Sequence, residues 1–200
     1  TYCIDNLSTG SLENIFHLIN NPNFEFIKES ILNESVVESF IEKCDVIVHL
    51  AAAVGVEKII RDPINTIETN IYGTNTVLRI AERYSKKVLL ASTSELYGKN
   101  ESYPFREDSN LLYGPTTHPR WAYACSKALD EFLALAYFHQ KHLPIVIMRF
   151  FNTIGPRQSG NYGMVVPRFI NQALSGQSIT VYGDGTQSRC FTDVRDVCEG

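Results

Sequence analysis

Short apolar runs alternate with longer amphipathic segments along this chain of 200 residues, and the alternation restricts the possible folds more than any other feature. The runs at 46–50 and 145–148 are too short for buried helices and rich in Val and Ile, so we predict strands there. Strands that alternate with helices form parallel sheets, because each helix carries the chain back to the same edge. The predicted fold class is α/β, with a doubly wound parallel sheet.

The predicted elements follow this pattern as far as residue 152. The strands are expected at 2–4, 24–27, 46–50, 88–91 and 145–148, and the helices at 36–43, 63–84, 123–139 and 165–174. From Asn152 the pattern loosens into loops that contain Gly, Pro and Arg. This change of character predicts a domain boundary near that residue.

Composition excludes several classes of protein. With 44% hydrophobic and 20% charged residues, the chain is typical of a globular protein that buries a sizeable core. Its net charge of −4 argues against a nucleic-acid partner. No apolar run reaches the roughly 18 residues that a membrane span requires, and no signal peptide is visible, so we expect a cytoplasmic protein with no membrane partner.

The cysteines do not form a recognisable framework. They are odd in number, scattered, and nowhere spaced as CxxC, so the sequence predicts neither a zinc site nor disulfides. We expect reduced thiols, no metal and a cytoplasmic location. The residues are Cys3, Cys44, Cys125, Cys190 and Cys198.

The chemistry-bearing stretch lies between the run at 88–91 and the helix predicted from Tyr123. The run ends in Ser92, Thr93, Ser94 and Glu95, and ligands bind beyond the carboxyl ends of parallel strands. Tyr123 precedes Lys127 by one helical turn, and an ammonium at that distance is expected to lower the pKa of the phenol, which can then act as a base. A second such pair, Tyr137 and Lys141, ends the same segment and is interpreted as a bystander.

Together these motifs resemble the extended short-chain dehydrogenase/reductase family, whose members modify nucleotide sugars with bound NAD. The resemblance implies a Rossmann-like sheet in an NAD-binding domain over 1–155. It implies a smaller, partial substrate-binding region over 156–190, and a segment over 191–200 that returns to the first domain. Members of the family dimerise through two helices, so we expect a homodimer through those at 63–84 and 123–139.

The family's glycine-rich phosphate turn is absent from this sequence. The chain resembles the family only from its second strand onward, and we expect a fragment that lacks the first strand and binds NAD poorly. Asp5 ends the first predicted strand, where the family has an acid that binds the adenosine ribose. The alternative interpretation is that Asp5 and Asn6 only form a turn. A carboxylate there repels a 2′-phosphate and favours NAD over NADP.

The resemblance assigns further cofactor contacts along the predicted sheet edge. The segment 24–31 resembles the adenine-contacting stretch, although Ser30 stands where the family usually has Asp. Small residues after the strand at 46–50 would allow close approach of the cofactor. The implied cofactor residues are Asp5, Asn6, Ser8, Thr9, Gly10, Ile31, Leu50, Ala51, Ala52, Asn70, Ser92, Tyr123 and Lys127.

The second half of the chain resembles the family's substrate-binding segments. There an Asn and an Arg contact the diphosphate of the nucleotide sugar, and a guanidinium suits phosphate because it binds two oxygens at once. Without the resemblance, Arg157, Arg168 and Arg189 would each be interpreted as a surface residue. The implied substrate residues are Asn152, Arg157, Val166, Arg168, Tyr182 and Arg189.

The resemblance also implies the reaction. Tyr123 would take a proton from a sugar hydroxyl while NAD accepts a hydride, giving a 4-keto sugar; Lys127 would hold the nicotinamide ribose, and Thr93 would bind the reacting oxygen. The Thr-Ser-Glu sequence at 93–95 resembles UDP-glucuronate decarboxylases and also occurs in GDP-mannose 4,6-dehydratases. Ser94 argues against thymidine-nucleotide-sugar 4,6-dehydratases, because it cannot supply the acid that they use. The alternatives are a UDP-sugar 4-epimerase, a GDP-mannose 4,6-dehydratase-like enzyme and a non-catalytic dinucleotide sensor.

Overall fold

The structure is a computed structural model that describes residues 1–160 and 164–200, with the backbone alone at residues 56–58. Its strands are β1 (Tyr2–Ile4), β2 (Glu25–Ile27), β3 (Val46–His49), β4 (Lys87–Thr93), β5 (Ile145–Phe150), β6 (Asn152–Ile154) and β7 (Phe191–Asp193). Its α-helices are α1 (Glu34–Ile41), α2 (Val56–Arg61), α3 (Pro63–Arg83), α4 (Trp121–Lys141), α5 (Val165–Leu174) and α6 (Val194–Glu199). Short 3₁₀ helices cover Leu12–Leu18 and Ser94–Tyr97.

The parallel sheet forms the centre of the fold. Strand β4 pairs with β3 on one side and β5 on the other, while β1 pairs with β2 and β6 with β7, and each of these pairs is parallel. Doubly wound folds have the strand order 3-2-1-4-5-6. In that order, β1 and β2 correspond to strands 2 and 3, and β3, β4 and β5 correspond to strands 4, 5 and 6. The predicted α/β class with a Rossmann-like parallel sheet is confirmed.

Helices α3 and α4 cover one face of the central sheet. Side chains alternate between the faces of a strand, so Val88 and Leu90 of β4 point the same way. Both are buried against Leu78 of α3 and Ala134 of α4. The helices bring the first turns of α4 beside the end of β4, where the polar residues of the site lie.

The opposite face of the same sheet is open in the part of the chain that the structure describes. Val46, Val48 and Val146 point there and are 54%, 57% and 59% exposed. Parallel sheets in complete α/β domains are covered on both faces. The described residues therefore form one layer of helices on a sheet.

Gly73 allows helix α3 to approach the loop after β2. A Cβ atom at this position would lie 2.2 Å from Cδ1 of Ile31, far inside van der Waals contact. Ile31 packs with Val37, Val77 and Ile80 in a buried apolar cluster between α1 and α3. This close contact seats the β1–β2 pair against the rest of the molecule.

Arg149 of β5 anchors the long loop between β4 and α4. Its guanidinium donates to both carboxylate oxygens of Glu131 at 2.9 and 2.7 Å, and to the backbone carbonyl of Glu107 at 3.1 Å. It also donates to the Tyr97 hydroxyl at 3.2 Å. Because Glu131 lies on α4 and Tyr97 just after β4, one side chain holds together three segments that lead into the site.

In the described part of the chain, none of the helices combines the length and hydropathy that crossing a bilayer requires.

Candidate active site

The predicted catalytic side chains come together where β4 ends and α4 begins. Thr93 is the last residue of β4, Glu95 lies in the 3₁₀ helix that follows, and Tyr123 and Lys127 lie on the first turns of α4. The side chains of Thr93, Tyr123 and Lys127 are buried, whereas Ser94 is half-buried. A strand end and a helix start thus form one polar cluster inside an apolar framework.

Thr93 shapes the turn that presents Glu95. Its hydroxyl accepts a hydrogen bond from the backbone N–H of Glu95 at 3.2 Å and caps the 3₁₀ helix. The same hydroxyl is hydrogen-bonded to the phenol of Tyr123. Thr93 therefore orients the acidic group and the phenol together.

The pKa of Tyr123 reflects its surroundings. Burial raises it above its usual range, the charges of Glu95 and Asp130 raise it further, and the hydrogen bond with Thr93 opposes the rise. The expectation that Lys127 lowers this pKa stays a prediction. Lys127 itself forms an ion pair, so the helix presents a paired cation to the phenol.

The partner of Lys127 is Asp130, one turn further along α4. Nζ of Lys127 donates to Oδ2 of Asp130 at 2.9 Å, and the two side chains are only 3% and 1% exposed. Burial raises the pKa of the Asp130 carboxyl, and the ammonium of Lys127 opposes that rise. Sequence reasoning missed Asp130, because an acidic residue on a helix usually reads as a solvated side chain.

Glu95 is exposed to solvent in the 3₁₀ helix after β4, with protein packed around its carboxyl. The surrounding protein raises the pKa of this carboxyl, and the positive charges of Arg120 and Arg189 act against the rise. These two cations come from segments almost seventy residues apart, before α4 and before β7. Arg189 was predicted to bind substrate. Arg120 was not assigned a role by the sequence, although it lies between Pro119 and Trp121 directly before the predicted catalytic helix.

Asn70 of α3 joins the end of β3 to the start of α4. Its amide oxygen accepts from the backbone N–H of Ala53 at 2.7 Å, and its nitrogen donates to the hydroxyl of Ser126 at 3.0 Å. Ser126 donates in turn to the backbone carbonyl of Tyr123 at 2.8 Å. The predicted Asn70 therefore fixes the backbone on which Leu50, Ala51, Ala52 and Tyr123 lie.

The loop after β1 forms a polar cavity of about 580 Å³. Asp5 accepts from the backbone N–H of Leu7 at 2.6 Å, and Asn6 accepts from that of Ser8 at 2.9 Å, so both side chains make turns. Ser8, Thr9 and Gly10 line the cavity. The turn-forming interpretation of Asp5 and Asn6 is thus present in the structure, and it leaves their predicted role toward a ribose as a prediction.

Two predicted cofactor residues have contrasting surroundings. Ile31 is 9% exposed and packs on Gly73 in the apolar cluster, so the structure gives it a core position where the sequence predicted an adenine contact. Ser92 is 5% exposed, and its hydroxyl has no hydrogen-bond partner among the described residues. A buried hydroxyl without a partner at a strand end is suited to binding a ligand.

The predicted substrate residues separate into different places. Arg168 donates to the hydroxyl of Tyr182 and lies over its ring, so these two predicted substrate residues contact each other. Asn152 of β6 donates to the carbonyl of Cys190 at 2.9 Å and joins β6 to the segment before β7. Val166 is half-buried on α5.

Arg157 is a predicted substrate residue whose role toward the substrate stays a prediction. Its guanidinium donates to the backbone carbonyl of Asn14 at 3.3 Å and lines the cavity formed by Ser8, Thr9 and Gly10. The side chain therefore contacts the loop after β1, which was predicted to bind cofactor. Its position in the sequence motif could not reveal a contact with a loop 143 residues earlier.

No group of three or more His, Cys, Asp or Glu side chains that could hold a metal ion occurs in the described ranges 1–160 and 164–200.

The fold and the site define a class of protein. A Rossmann-like parallel sheet, hydroxyls at the end of a central strand, and a Tyr and a Lys one turn apart at the start of the adjacent helix are the features of a short-chain dehydrogenase/reductase. The sequence profile of the NAD-dependent epimerase/dehydratase family matches residues 1–200, and the chain belongs to that family.

Known relatives share both sequence and structure with the chain. It is 45% identical over 197 residues to a UDP-N-acetyl-alpha-D-glucosaminuronate decarboxylase of Bacillus cytotoxicus, covering 98% of the chain and 60% of the relative. It is 40% identical over 197 residues to UDP-glucuronic acid decarboxylase 1 of Danio rerio, covering 98% and 46%. The chain thus spans about half the length of the curated relatives that it matches.

A solved structure shares the fold of the chain. The UDP-glucuronic acid 4-epimerase of Bacillus cereus, in complex with UDP-glucuronic acid and NAD, superposes with a TM-score of 0.87 at 33% identity. The match covers 98% of this chain and 62% of the epimerase.

Proposed function

We propose that the protein of which this chain is part is an NAD-dependent decarboxylase of a UDP-linked uronic acid, with UDP-glucuronate as the predicted substrate. The observation that carries the proposal is the carboxylate of Glu95 after β4, whose charge acts on Tyr123 and is itself influenced by the guanidinium groups of Arg120 and Arg189. Two cations at this place suit a substrate that is an anion at both its diphosphate and its sugar. The names of the two decarboxylase relatives support the same reaction.

The described residues fit a bound dinucleotide at its two sugar ends. Asp5, Ser8 and Thr9 would hold the adenosine ribose, while Ser92 and Lys127 would hold the nicotinamide ribose, and Ala51 and Ala52 would allow close approach. No G-x-G-x-x-G turn occurs in these 200 residues, so no residue is assigned to the pyrophosphate. When bound, NAD would accept a hydride from the sugar and later return it.

Tyr123 is assigned the proton transfer at the sugar 4-hydroxyl. The phenol would take this proton while Thr93, hydrogen-bonded to the phenol, orients the reacting oxygen. Its raised pKa means that the phenolate forms only when a nearby positive charge or the reaction itself favours it. The ammonium of Lys127 is the built-in source of such charge.

The arginines are assigned to the substrate's anionic groups. Arg120 would pair with the uronate carboxylate, and Arg189 with the diphosphate or the sugar. Once C4 is a ketone, the carboxylate on C5 is that of a β-keto acid, and the C–C electron pair flows into the ketone as CO₂ leaves. Glu95, with a raised pKa, is placed as the acid–base group beside this bond.

A UDP-uronate 4-epimerase is the second candidate. It is favoured by the similarity to the B. cereus UDP-glucuronic acid 4-epimerase, and epimerisation at C4 would need the same oxidation to a 4-keto sugar but no loss of CO₂. A thymidine-nucleotide-sugar 4,6-dehydratase fits less well because Ser94 offers no carboxylic acid at the expected place. A non-catalytic sensor would not need the buried Tyr123 and Lys127.

The experiment incubates the full-length protein with NAD⁺ and UDP-glucuronate, and in parallel with UDP-N-acetylglucosaminuronate. Released CO₂ and the nucleotide-sugar products are measured together. We expect CO₂ and a UDP-pentose, a loss of about 10²- to 10⁴-fold in rate for Tyr123→Phe, and strong slowing for Glu95→Gln. Tyr137→Phe, in the second Tyr-Lys pair of the same helix, is the matched control and should retain activity. Conversion to the 4-epimer without CO₂ would contradict the decarboxylase and support the epimerase.

We further propose a homodimer through α3 and α4, in the cytoplasm. The outer surfaces of these helices carry apolar side chains that a solvated helix would not need. In the described chain they include Ile64, Leu129, Phe132, Leu135 and Phe138, of which Ile64 is 70% and Phe132 66% exposed.

A further inference from the structure

Helix α4 contains a buried charge that the proposed mechanism does not use. Asp130 is 1% exposed, and its Oδ2 accepts from the ammonium of Lys127, while its Oδ1 has no hydrogen-bond partner among the described residues. Burying a carboxylate away from water is energetically unfavourable unless a cation pairs with it. The contact with Lys127 therefore holds both charges inside the protein.

The other groups around Lys127 do not replace Asp130. His49 of β3 has its pKa lowered to about 3 by burial and by the charge of Lys127, so its ring is neutral near pH 7. Its Nε2 lies 3.1 Å from the hydroxyl of Thr74 on α3, which is also uncharged. Glu131 is paired with Arg149, and Glu95 acts on Tyr123 from the strand end. Among the described residues, Asp130 is thus the anion in direct contact with this ammonium.

We propose that Asp130 is a positioning residue that anchors the ammonium of Lys127 through a buried ion pair and so sets the charge that Lys127 presents to Tyr123. This inference rests on the proposed function, in which Tyr123 transfers the proton. An anion one turn beyond the cation partly cancels the field of the cation at the phenol. Asp130 thereby keeps the phenol of Tyr123 protonated in the resting site. It also holds the ammonium of Lys127 in one position.

The test replaces the carboxylate with a neutral group of the same shape, Asp130→Asn, in the full-length protein. With the negative charge removed, the phenolate becomes easier to form, so the acid limb of the kcat/KM profile should move to lower pH by about one unit or more. Asp130→Ser is a second neutral variant in case the amide does not fold. Asp130→Glu retains the charge and should leave the limb close to that of the wild type.

Glu131→Gln is the matched control. It removes the neighbouring buried carboxylate, which pairs with Arg149 and not with Lys127. Both neutral substitutions should lower the thermal midpoint, but only the change at Asp130 should move the pH limb. If the limb stays in place or moves to higher pH in Asp130→Asn, the proposal is overturned.

A second measurement does not depend on catalysis. Ultraviolet titration of tyrosinate in each protein, minus that of the same protein carrying Tyr123→Phe, isolates the phenol of Tyr123. We expect the phenol of Tyr123 to titrate at lower pH in Asp130→Asn than in the wild type. An unchanged or higher titration pH would refute the proposed role of Asp130. If the wild type releases no CO₂, the proposed function fails, while this titration still decides the role of Asp130.

Discussion

Single residues in this protein have properties that their neighbours in space determine. Tyr123 and Tyr137 each precede a lysine by one turn on the same helix, yet only Tyr123 is buried beside Thr93 and Glu95. The Lys127 side chain is 3% exposed and that of Lys141 is 56% exposed. Burial in a polar cluster, rather than the spacing of the two residue types, distinguishes a candidate catalytic pair from a bystander.

His49 provides a prediction for stability against pH. Its pKa is lowered to about 3 in the folded protein, against an ordinary value of 6.5, so the unfolded chain binds one more proton between these values. Its contribution to the free energy of unfolding is therefore complete above pH 6.5 and is lost as the pH falls from 6.5 toward 3. The slope approaches about 1.4 kcal/mol per pH unit for this group.

Denaturant unfolding from pH 7 to pH 4 checks this prediction. His49→Gln retains a polar partner for Thr74 and should lose less stability on acidification than the wild type. His139→Gln, at an exposed position on α4, should follow the wild-type curve. Equal acid sensitivity of the wild type and His49→Gln would show that the histidine titrates normally.

At the scale of elements, the site depends on how β4, β5 and α4 are held together. Thr93 ends β4 and caps the next 3₁₀ helix, Asn70 ties α3 to α4 through Ser126, and Arg149 ties β5 to α4. Hydrogen bonds between elements therefore position the polar cluster, in addition to the apolar core beneath it. The predicted domain division after residue 155 also belongs to this scale and stays a prediction.

Arg149→Ala should be strongly destabilising. It leaves the carboxylate of Glu131, which is 10% exposed, without its cation, and removing one partner of a buried ion pair costs about 3–5 kcal/mol. It also releases the loop held at the Glu107 carbonyl. Thermal or denaturant unfolding measures the loss, and proteolysis should become faster between β4 and α4.

The control for this variant is Arg106→Ala. Arg106 pairs with Asp108, but these side chains are 75% and 76% exposed, so the loss of their ion pair should change stability by less than about 1 kcal/mol. A comparable loss in both variants would indicate that Arg149 acts only as a surface charge.

At the scale of the whole molecule, the described residues leave two apolar surfaces exposed. One is the open sheet face at Val46, Val48 and Val146, and the other is the outer side of α3 and α4. Apolar patches of this kind are covered by protein in stable assemblies. Only the second surface is assigned a partner here, a second copy of the protein.

Phe132→Glu should therefore convert the full-length protein from dimer to monomer. A charge placed at the centre of an apolar interface loses its water without gaining a partner, so association becomes unfavourable. Sedimentation velocity at micromolar concentration measures the change. Leu174→Glu, at an 82% exposed position on α5, is the control and should remain dimeric. A wild-type protein that sediments as a monomer would contradict the proposed interface.

The sequence by itself determined the order and type of the long elements and named the candidate catalytic residues. Helix α5 begins and ends where its apolar period predicted, and the predicted ends of α3 and α4 lie within two residues of those observed. Helix periodicity and strand hydrophobicity are local properties, so a local pattern carries them. The short elements β6, β7, α2 and α6 were missed because so few residues show no period.

Only the tertiary structure decided which groups act on one another. It paired Lys127 with Asp130, brought Arg120 and Arg189 to Glu95, packed Ile31 on Gly73, and turned Arg157 toward Asn14. These contacts join residues that are mostly far apart in the chain, and their energies depend on burial and distance, which the order of residues does not reveal. For the same reason, the raised pKa of Tyr123 could not be predicted from its spacing to Lys127. Residue types name the candidate groups, and folding determines the electrostatic environment in which those groups react.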